Sequence, residues 1–449
     1  MVKNIVTAIV SGGIVVWIIQ YILGKFFDIA IDGLFTNVKR KVKAHTSKSV
    51  KDFRDVVKSV EYKKFVNEVM KLYYGEEFFT NINNQLISTF FLKSSISKNA
   101  SGEDPIRYFD SVCDKNTINY TFDVKRHQSL EKYKYYKQYK KIKKGTINFP
   151  NRPGYMLDEI RLNENGEISK IESHIGTYAE NIYSNHILEY ELYLVYKKYK
   201  NQKLDDPIVW DRLISELKIR NKIHNNITKN APDFISKMKE SLCKGEHRHS
   251  LLSVQMLVIV KSKRTHKYEI KMVKRSNRVA IAEGIYQFIP AGGFEILNDL
   301  EDHEYSEGVL QENYSMGCAV FREYLEELFN KPEYSGNSTG SVDDRLLCSK
   351  EIREIVKLIQ SKKAYFQFLG SVIDLAGLRH ELSFALVITD ENYSEKQFIA
   401  NEECNKGIVE PELDIGNFED KNYIWKNIHG PSAVMWKLFK DTSLYNQII

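Results

Sequence analysis

A run of 20 residues without one charged side chain is the feature that most constrains this chain. It covers residues 5–24, "IVTAIVSGGIVVWIIQYILG". As a helix it would reach about 30 Å, the thickness of a bilayer's hydrocarbon core. A cleaved signal peptide would have a shorter apolar core and then a small-residue cleavage site, whereas "KFFDIAIDGLF" follows here. A buried core helix is the other alternative, and we predict a transmembrane helix within residues 1–27.

The charges around this run predict its orientation. Only Lys3 and the α-amino group precede it, whereas the basic residues that follow are Lys25, Lys39, Arg40, Lys41 and Lys43. Because cytoplasmic flanks carry the excess of Lys and Arg, we expect a single-pass membrane protein whose C-terminal domain is cytoplasmic. The five cysteines are odd in number and scattered without a CxxC pair, which also favours a reducing compartment.

The pattern of apolar and polar residues changes twice along the rest of the chain. Apolar residues recur every three or four positions after the apolar run, which predicts a helical stalk and linker over residues 28–100. Short strand-like and helix-like pieces alternate over residues 101–243, which predicts an α+β middle region. Strong strands interrupted by helices fill residues 244–449, which is typical of an α/β sandwich. At 449 residues the chain is long enough for two or three domains.

A lysine- and tyrosine-rich segment lies in the middle region. It reads "EKYKYYKQYKKIKKG" over residues 131–145. Lysines between aromatic residues can bind single-stranded nucleic acid, but they also occur on solvated helix faces and on surfaces that attract anionic lipid. A net charge of +6 spread over 449 residues is too dilute to indicate nucleic acid. We therefore expect membrane lipid rather than nucleic acid as a partner.

Three carboxylates follow one another at helical spacing in "FREYLEELFN", residues 321–330. Glu323, Glu326 and Glu327 stand at positions i, i+3 and i+4, so they project from one side of a helix. An amphipathic helix with a solvated acidic face shows the same pattern. A strand that runs into a glycine pair, "IPAGGFE", precedes this helix at residues 289–295, and such a pair lets a ligand approach the backbone.

This order of strand, glycine turn, loop and carboxylate helix resembles the Nudix hydrolase superfamily, whose box ends in R-E-U-x-E-E-x-G-U, with U a bulky aliphatic residue. Arg322, Glu323, Glu326 and Glu327 match its R-E and E-E positions. The resemblance covers about residues 244–449 and implies a Nudix-like α/β/α sandwich. It also implies that the three glutamates bind Mg²⁺ or Mn²⁺, which suits hard oxygen ligands, and that Arg322 pairs with the box's earlier glutamate.

The resemblance further implies hydrolysis of a nucleoside diphosphate-linked substrate, with Glu326 and Glu327 catalytic. A second carboxylate often comes from a loop after the box in this family, and Glu402 and Glu403 in "ANEECN" are the candidates, of which we favour Glu403. Gly292, Gly293, Arg322 and Arg379 are the candidate ligand-binding residues. Arg379 opens "RHE", where a strand-end charge cluster is the alternative. His247 and His249 have a chelating spacing, but no further Cys or His lies near them, so we expect no zinc site.

The sequence also departs from the Nudix pattern. The loop between Gly293 and Arg322 is longer than in the family, and counting back from Arg322 places Tyr314 where the box has its first glutamate. Phe329 and Asn330 replace the closing glycine and aliphatic residue, while Glu312 and Glu295 are candidate substitutes for the missing carboxylate. Two functions therefore stay open. One is a membrane-anchored hydrolase; the other is a non-hydrolytic nucleotide-sensing membrane effector, as in stress or antiphage signalling, that acts as a homo-oligomer.

Overall fold

A computed structural model of the chain describes residues 52–53, 55–119, 126–144, 152–275, 285–296, 307–331, 346–396, 398, 404–408 and 413–449. The chain divides into two compact units, Met1–Val57 and Lys58–Ile449. The described residues of the first unit are few and helical. The predicted transmembrane helix lies outside the described residues, and among those that are described no helix is long and apolar enough to cross a membrane.

The second unit mixes helices and strands. Its strands are β1 (Thr80–Ile82), β2 (Gln85–Ile87), β3 (Thr89–Lys93), β4 (Pro153–Leu162), β5 (Ile168–Thr177), β6 (Ser253–Lys261), β7 (Tyr268–Ile270), β8 (Met272–Arg275), β9 (Tyr286–Phe288), β10 (Ala291–Gly293), β11 (Ala364–Asp374), β12 (Arg379–Ile388) and β13 (Cys404–Ile408). Its helices are α1 (Val60–Tyr74), α2 (Lys134–Lys144), α3 (Tyr178–Ser184), α4 (Ile187–Tyr199), α5 (Pro207–Glu216), α6 (Lys218–Ile223), α7 (Phe234–Leu242), α8 (Glu307–Asn313), α9 (Met316–Phe329), α10 (Lys350–Gln360), α11 (Asn422–Trp425), α12 (Gly430–Lys440) and α13 (Ser443–Ile448). This confirms the α/β class.

The main sheet has the strand order β10-β6-β12-β11-β3, and β7 pairs with the far end of β6. Strands β6 and β12 run parallel, while the other neighbours in this sheet are antiparallel. The sequence of β6, "SVQMLVIVK", is almost continuously apolar, as expected for a central strand that is buried on both faces. Strands β13, β8 and β9 form a second, smaller sheet.

Helices pack on both faces of the main sheet. Successive side chains along a strand alternate between the two faces, so each face can present apolar residues to a helix. Ala385 and Val387 of β12 lie in one hydrophobic core with Trp436 of α12. Phe384, which precedes Ala385 and so points to the other face, stacks on Phe366, which in turn contacts Phe321 of α9. Helix α9, which carries the three glutamates, is therefore held against the sheet by a buried aromatic cluster on the face opposite α12.

The β4–β5 hairpin joins the middle region to the main sheet. Backbone hydrogen bonds link Tyr155 N–H to the Phe294 carbonyl (3.0 Å) and Ile296 N–H to the Pro153 carbonyl (2.9 Å). The start of β4 therefore runs beside the chain that leaves β10. The same strand also pairs with the segment before β6, where Leu157 N–H donates to the Ser250 carbonyl (2.8 Å). Residues 101–243 and 244–449 thus share backbone pairing within one compact unit.

Candidate functional site

Helix α9 is fixed at both ends by its sequence. The Ser315 hydroxyl accepts a hydrogen bond from Cys318 N–H (3.1 Å), which caps the first turn. Gly317 allows close packing there, because a Cβ at this position would lie 1.9 Å from the Ile106 carbonyl oxygen. The helix ends at Asn330 in the left-handed conformation (φ 48°), which asparagine tolerates. Asn330 thus takes a conformation that glycine commonly supplies at a helix end.

Arg322 ties this helix to the glycine strand. Its guanidinium donates to the carbonyls of Gly293 (2.9 Å) and Glu295 (3.2 Å) and to the Glu323 carboxylate (3.0 Å). Only 7% of its side chain is exposed. Burial by itself lowers the pKa of Arg322, but the neighbouring charges of Glu323 and Glu326 raise it above its ordinary value. Arg322 is therefore a charged structural link.

Two of the three helix carboxylates touch β10 directly. A Cβ on Gly292 would lie 2.1 Å from the carboxyl carbon of Glu323, so this position leaves space only for glycine unless Glu323 moves. Glu327, which is buried, accepts a hydrogen bond from Ala291 N–H (2.8 Å). The structure thus brings together Gly292, Gly293, Arg322, Glu323 and Glu327.

The carboxylates suit a divalent cation in kind, because Mg²⁺ and Mn²⁺ prefer oxygen ligands. In the structure these carboxylates have other partners. Glu323 is paired with Arg322, and Glu327 accepts a hydrogen bond from a backbone amide. Within the described part of the chain, no group of three or more His, Cys, Asp or Glu side chains is placed to hold a metal ion. Metal binding by Glu323, Glu326 and Glu327 stays a prediction.

Tyr314 stands where the box glutamate would be, and the structure gives it another role. It is fully buried, and its hydroxyl lies 2.7 Å from the Ser173 hydroxyl and donates to the Ile171 carbonyl (3.0 Å). Its ring stacks on Phe294. Tyr314 therefore anchors the start of α9 to the β4–β5 hairpin.

Of the two candidate replacements for the missing glutamate, Glu295 lies nearer to the site. Its carboxylate lies beside Gly293, where a Cβ would be 3.3 Å from Glu295 Oε1. It also forms an ion pair with Arg152 (Nη1 to Oε2, 3.6 Å). Glu312 is exposed on helix α8. Arg152 belongs to the middle region, and no feature of the sequence marked it, because the contact depends on the pairing of β4 with residues 294–296.

Other predicted site residues lie elsewhere. Arg379 forms ion pairs with Glu189 (3.4 Å) and Asp374 (3.5 Å), which matches the alternative of a strand-end charge cluster. A neighbour on the same strand, Glu381, is buried, and burial raises its pKa to about 7. Glu402 and Glu403 fall outside the described residues.

Of the two histidines with chelating spacing, His249 belongs to a buried polar network. His249 Nδ1 lies 3.0 Å from Nε2 of His174, whose Nδ1 lies 2.9 Å from the Asp158 carboxylate. Burial lowers the pKa of His249 to about 3, so it is neutral at physiological pH. No metal-binding group includes it among the described residues.

The lysine- and tyrosine-rich segment is helix α2, and part of its aromatic content points inward. Tyr136 and Tyr139 are each 1% exposed, whereas Lys134 and Lys137 are exposed. Because these two rings are buried, they are not available to stack on bases. The exposed lysines fit a solvated or lipid-facing surface.

Comparisons with known proteins do not assign the chain to a family. No protein-family model and no curated protein matches the chain. Among solved structures, it is similar to a MutT/Nudix family protein from Enterococcus faecalis, with 14% sequence identity and a TM-score of 0.20. The similarity covers 42% of this chain and 53% of that one, about half its length. At this TM-score the similarity carries no argument about fold or function.

Proposed function

We propose that the second unit contains a Nudix-like domain that hydrolyses a nucleoside diphosphate-linked substrate with Mg²⁺ or Mn²⁺. The observation that carries the proposal is the Arg322 link, which ties α9 to the glycine strand, where Glu323 and Glu327 both contact β10. In this proposal Glu323, Glu326 and Glu327 hold the cation, which would offset phosphate charge. Glu326, Glu327 and Glu403 are the proposed catalytic groups.

Magnesium titration tests the metal part of the proposal. We expect the full chain to bind Mg²⁺ and a Glu326→Gln, Glu327→Gln double variant to lose that binding. Glu307→Gln is the matched control, because it removes an exposed carboxylate on the preceding helix that no part of the proposal uses. Unchanged affinity in the double variant would rule out these ligands.

A second function is favoured by Tyr314. Because this buried tyrosine takes the place of the box glutamate, the domain would lack one carboxylate of a complete box. We propose as the alternative a receptor that binds the nucleotide without cleaving it. In both cases residues 5–24 would anchor the chain as a single pass, with the C-terminal domain in the cytoplasm beside anionic lipid.

Crosslinking in membranes separates the two functions. A receptor should change the association of its anchors when nucleotide is added, so the yield of homo-oligomeric crosslinks should depend on the ligand. A hydrolase should convert the nucleotide with the same crosslink yield before and after addition. Turnover without any change in association would argue against the receptor.

A further inference from the structure

The β4–β5 hairpin brings a second guanidinium to the proposed site. Arg322 contacts the backbone carbonyl of Glu295, whereas Arg152 contacts the side-chain carboxylate of the same residue. The two arginines therefore flank one residue of the segment that leaves the glycine strand. Arg152 comes from the middle region, for which no role was predicted.

The backbone around Arg152 is well fixed. Its carbonyl accepts a hydrogen bond from Tyr178 N–H (2.9 Å), and Pro153 restricts it to an extended conformation. Gly154 then allows β4 to approach closely, because a Cβ there would lie 3.1 Å from the Phe294 carbonyl oxygen. Since backbone hydrogen bonds fix the Arg152 carbonyl and the residues that follow it, the side chain starts from a defined place next to Glu295.

The two arginines differ in what they can offer a ligand. Arg322 is 7% exposed and donates to two carbonyls and one carboxylate. Arg152 is 20% exposed, and its 3.6 Å contact with Glu295 is longer than a good hydrogen bond. This contact is longer than any of the three hydrogen bonds of Arg322, so Arg152 exchanges its anion more readily than Arg322 does.

An anionic ligand at this site needs a positively charged side chain to bind it. Glu295, Glu323 and Glu326 all act on Arg322, so the surroundings of the glycine strand are rich in carboxylates. A ligand with a diphosphate would meet repulsion from these groups. A guanidinium fork matches phosphate oxygens and forms short, charge-assisted hydrogen bonds with them.

We propose that Arg152 is a ligand-binding residue. Its guanidinium gives up the ion pair with Glu295 and binds a phosphate group of the substrate next to Gly293. The inference rests on the proposed function and gives the middle region a part in it. The hairpin would supply the phosphate-binding arginine, while α9 supplies the carboxylates. Glu295 then acts as a competitor that holds Arg152 in place until the ligand arrives.

Titration with inorganic pyrophosphate in the presence of Mg²⁺ tests this inference on the full chain. We expect Arg152→Ala to weaken binding by at least about tenfold, because it removes charge-assisted hydrogen bonds. Arg161→Ala is the matched control, since Arg161 lies on β4, the strand that follows Arg152, but pairs with Glu172 (2.6 Å), away from the glycine strand. It should leave the affinity within about twofold.

Glu295→Gln separates a binding role from a structural one. If Arg152 exchanges Glu295 for phosphate, removal of the competing charge should tighten pyrophosphate binding. If the ion pair only holds the hairpin in place, Glu295→Gln should weaken binding as Arg152→Ala does, which would overturn the inference. Unchanged affinity in Arg152→Ala would overturn it too, whereas no binding by the unmodified chain would overturn the proposed function with it.

Discussion

Replacing Arg322 by methionine should break the link between α9 and the glycine strand. Methionine keeps much of the apolar stem but has no donor for the carbonyls of Gly293 and Glu295 or for the Glu323 carboxylate. The unmodified residue makes these three hydrogen bonds at 2.9, 3.2 and 3.0 Å. All three acceptors then need new partners in a place where little water reaches.

The expected loss of stability follows from the acceptors that lose their partner in Arg322→Met. A buried polar group that loses its partner costs about 1–3 kcal/mol, and removal of one member of a buried ion pair costs about 3–5 kcal/mol. The Glu323 side chain is 14% exposed, so water offsets part of this cost. We therefore expect Arg322→Met to lower the free energy of unfolding by about 3–5 kcal/mol.

Urea unfolding of the full chain, followed by circular dichroism, measures this change. Arg353→Met is the matched control, because Arg353 is exposed on α10, and it should shift the free energy of unfolding by no more than about 0.5 kcal/mol. A second variant, Arg322→Lys, keeps the charge but lacks the fork, so it should fall between the two. Arg322→Met with a stability within about 1 kcal/mol of the unmodified chain would refute the structural role of this residue.

Three further variants test neighbouring parts of the account. Gly292→Ala should lower the free energy of unfolding by about 1–3 kcal/mol in the same urea assay, because its Cβ would displace the Glu323 carboxylate; unchanged stability would contradict that contact. Tyr314→Glu should destabilise the chain without creating or increasing activity in a nucleotide-cleavage assay, because the position faces Ser173 and not the carboxylates; a gain of cleavage would contradict this. Burial raises the pKa of Glu381 from 4.5 to about 7. Between these two pH values the folded state keeps a proton that the unfolded state releases, so the free energy of unfolding should fall as pH rises from about 4.5 to 7. Glu381→Gln should flatten this fall, and urea titrations at several pH values would show an unaltered slope if Glu381 were not responsible.

The sequence predicted local structure around the site well, because the signals there are local. The spacing of apolar residues places a helix at 316–330, and the structure has Met316–Phe329. Proline is a residue type that favours a first helical turn, and α12 begins at Gly430 with Pro431 in its first turn. The order of strand, glycine turn and helix is local too, and in the structure Arg322 of that helix donates to the Gly293 carbonyl.

The contacts of the middle region could not be predicted in the same way. Strand β4 pairs with residues 294–296 through backbone groups, and backbone hydrogen bonds leave no mark on side-chain composition. A change of texture near residue 244 suggested a boundary, yet Leu157 and Ser250 pair across it. Arg152 reaches Glu295 only as a result of this pairing, so its place at the site is a product of the tertiary structure.

The most direct test of the central claim is calorimetric titration of the full chain with a panel of diphosphate-linked nucleotides and Mg²⁺, followed by mass spectrometry of the recovered nucleotide. We predict Mg²⁺-dependent binding to one nucleotide class, with cleavage of its diphosphate, and loss of both in the Glu326→Gln, Glu327→Gln double variant. Binding without cleavage would favour the receptor. Absence of binding, or binding that the double variant keeps, would show that the carboxylates of α9 do not hold the metal ion.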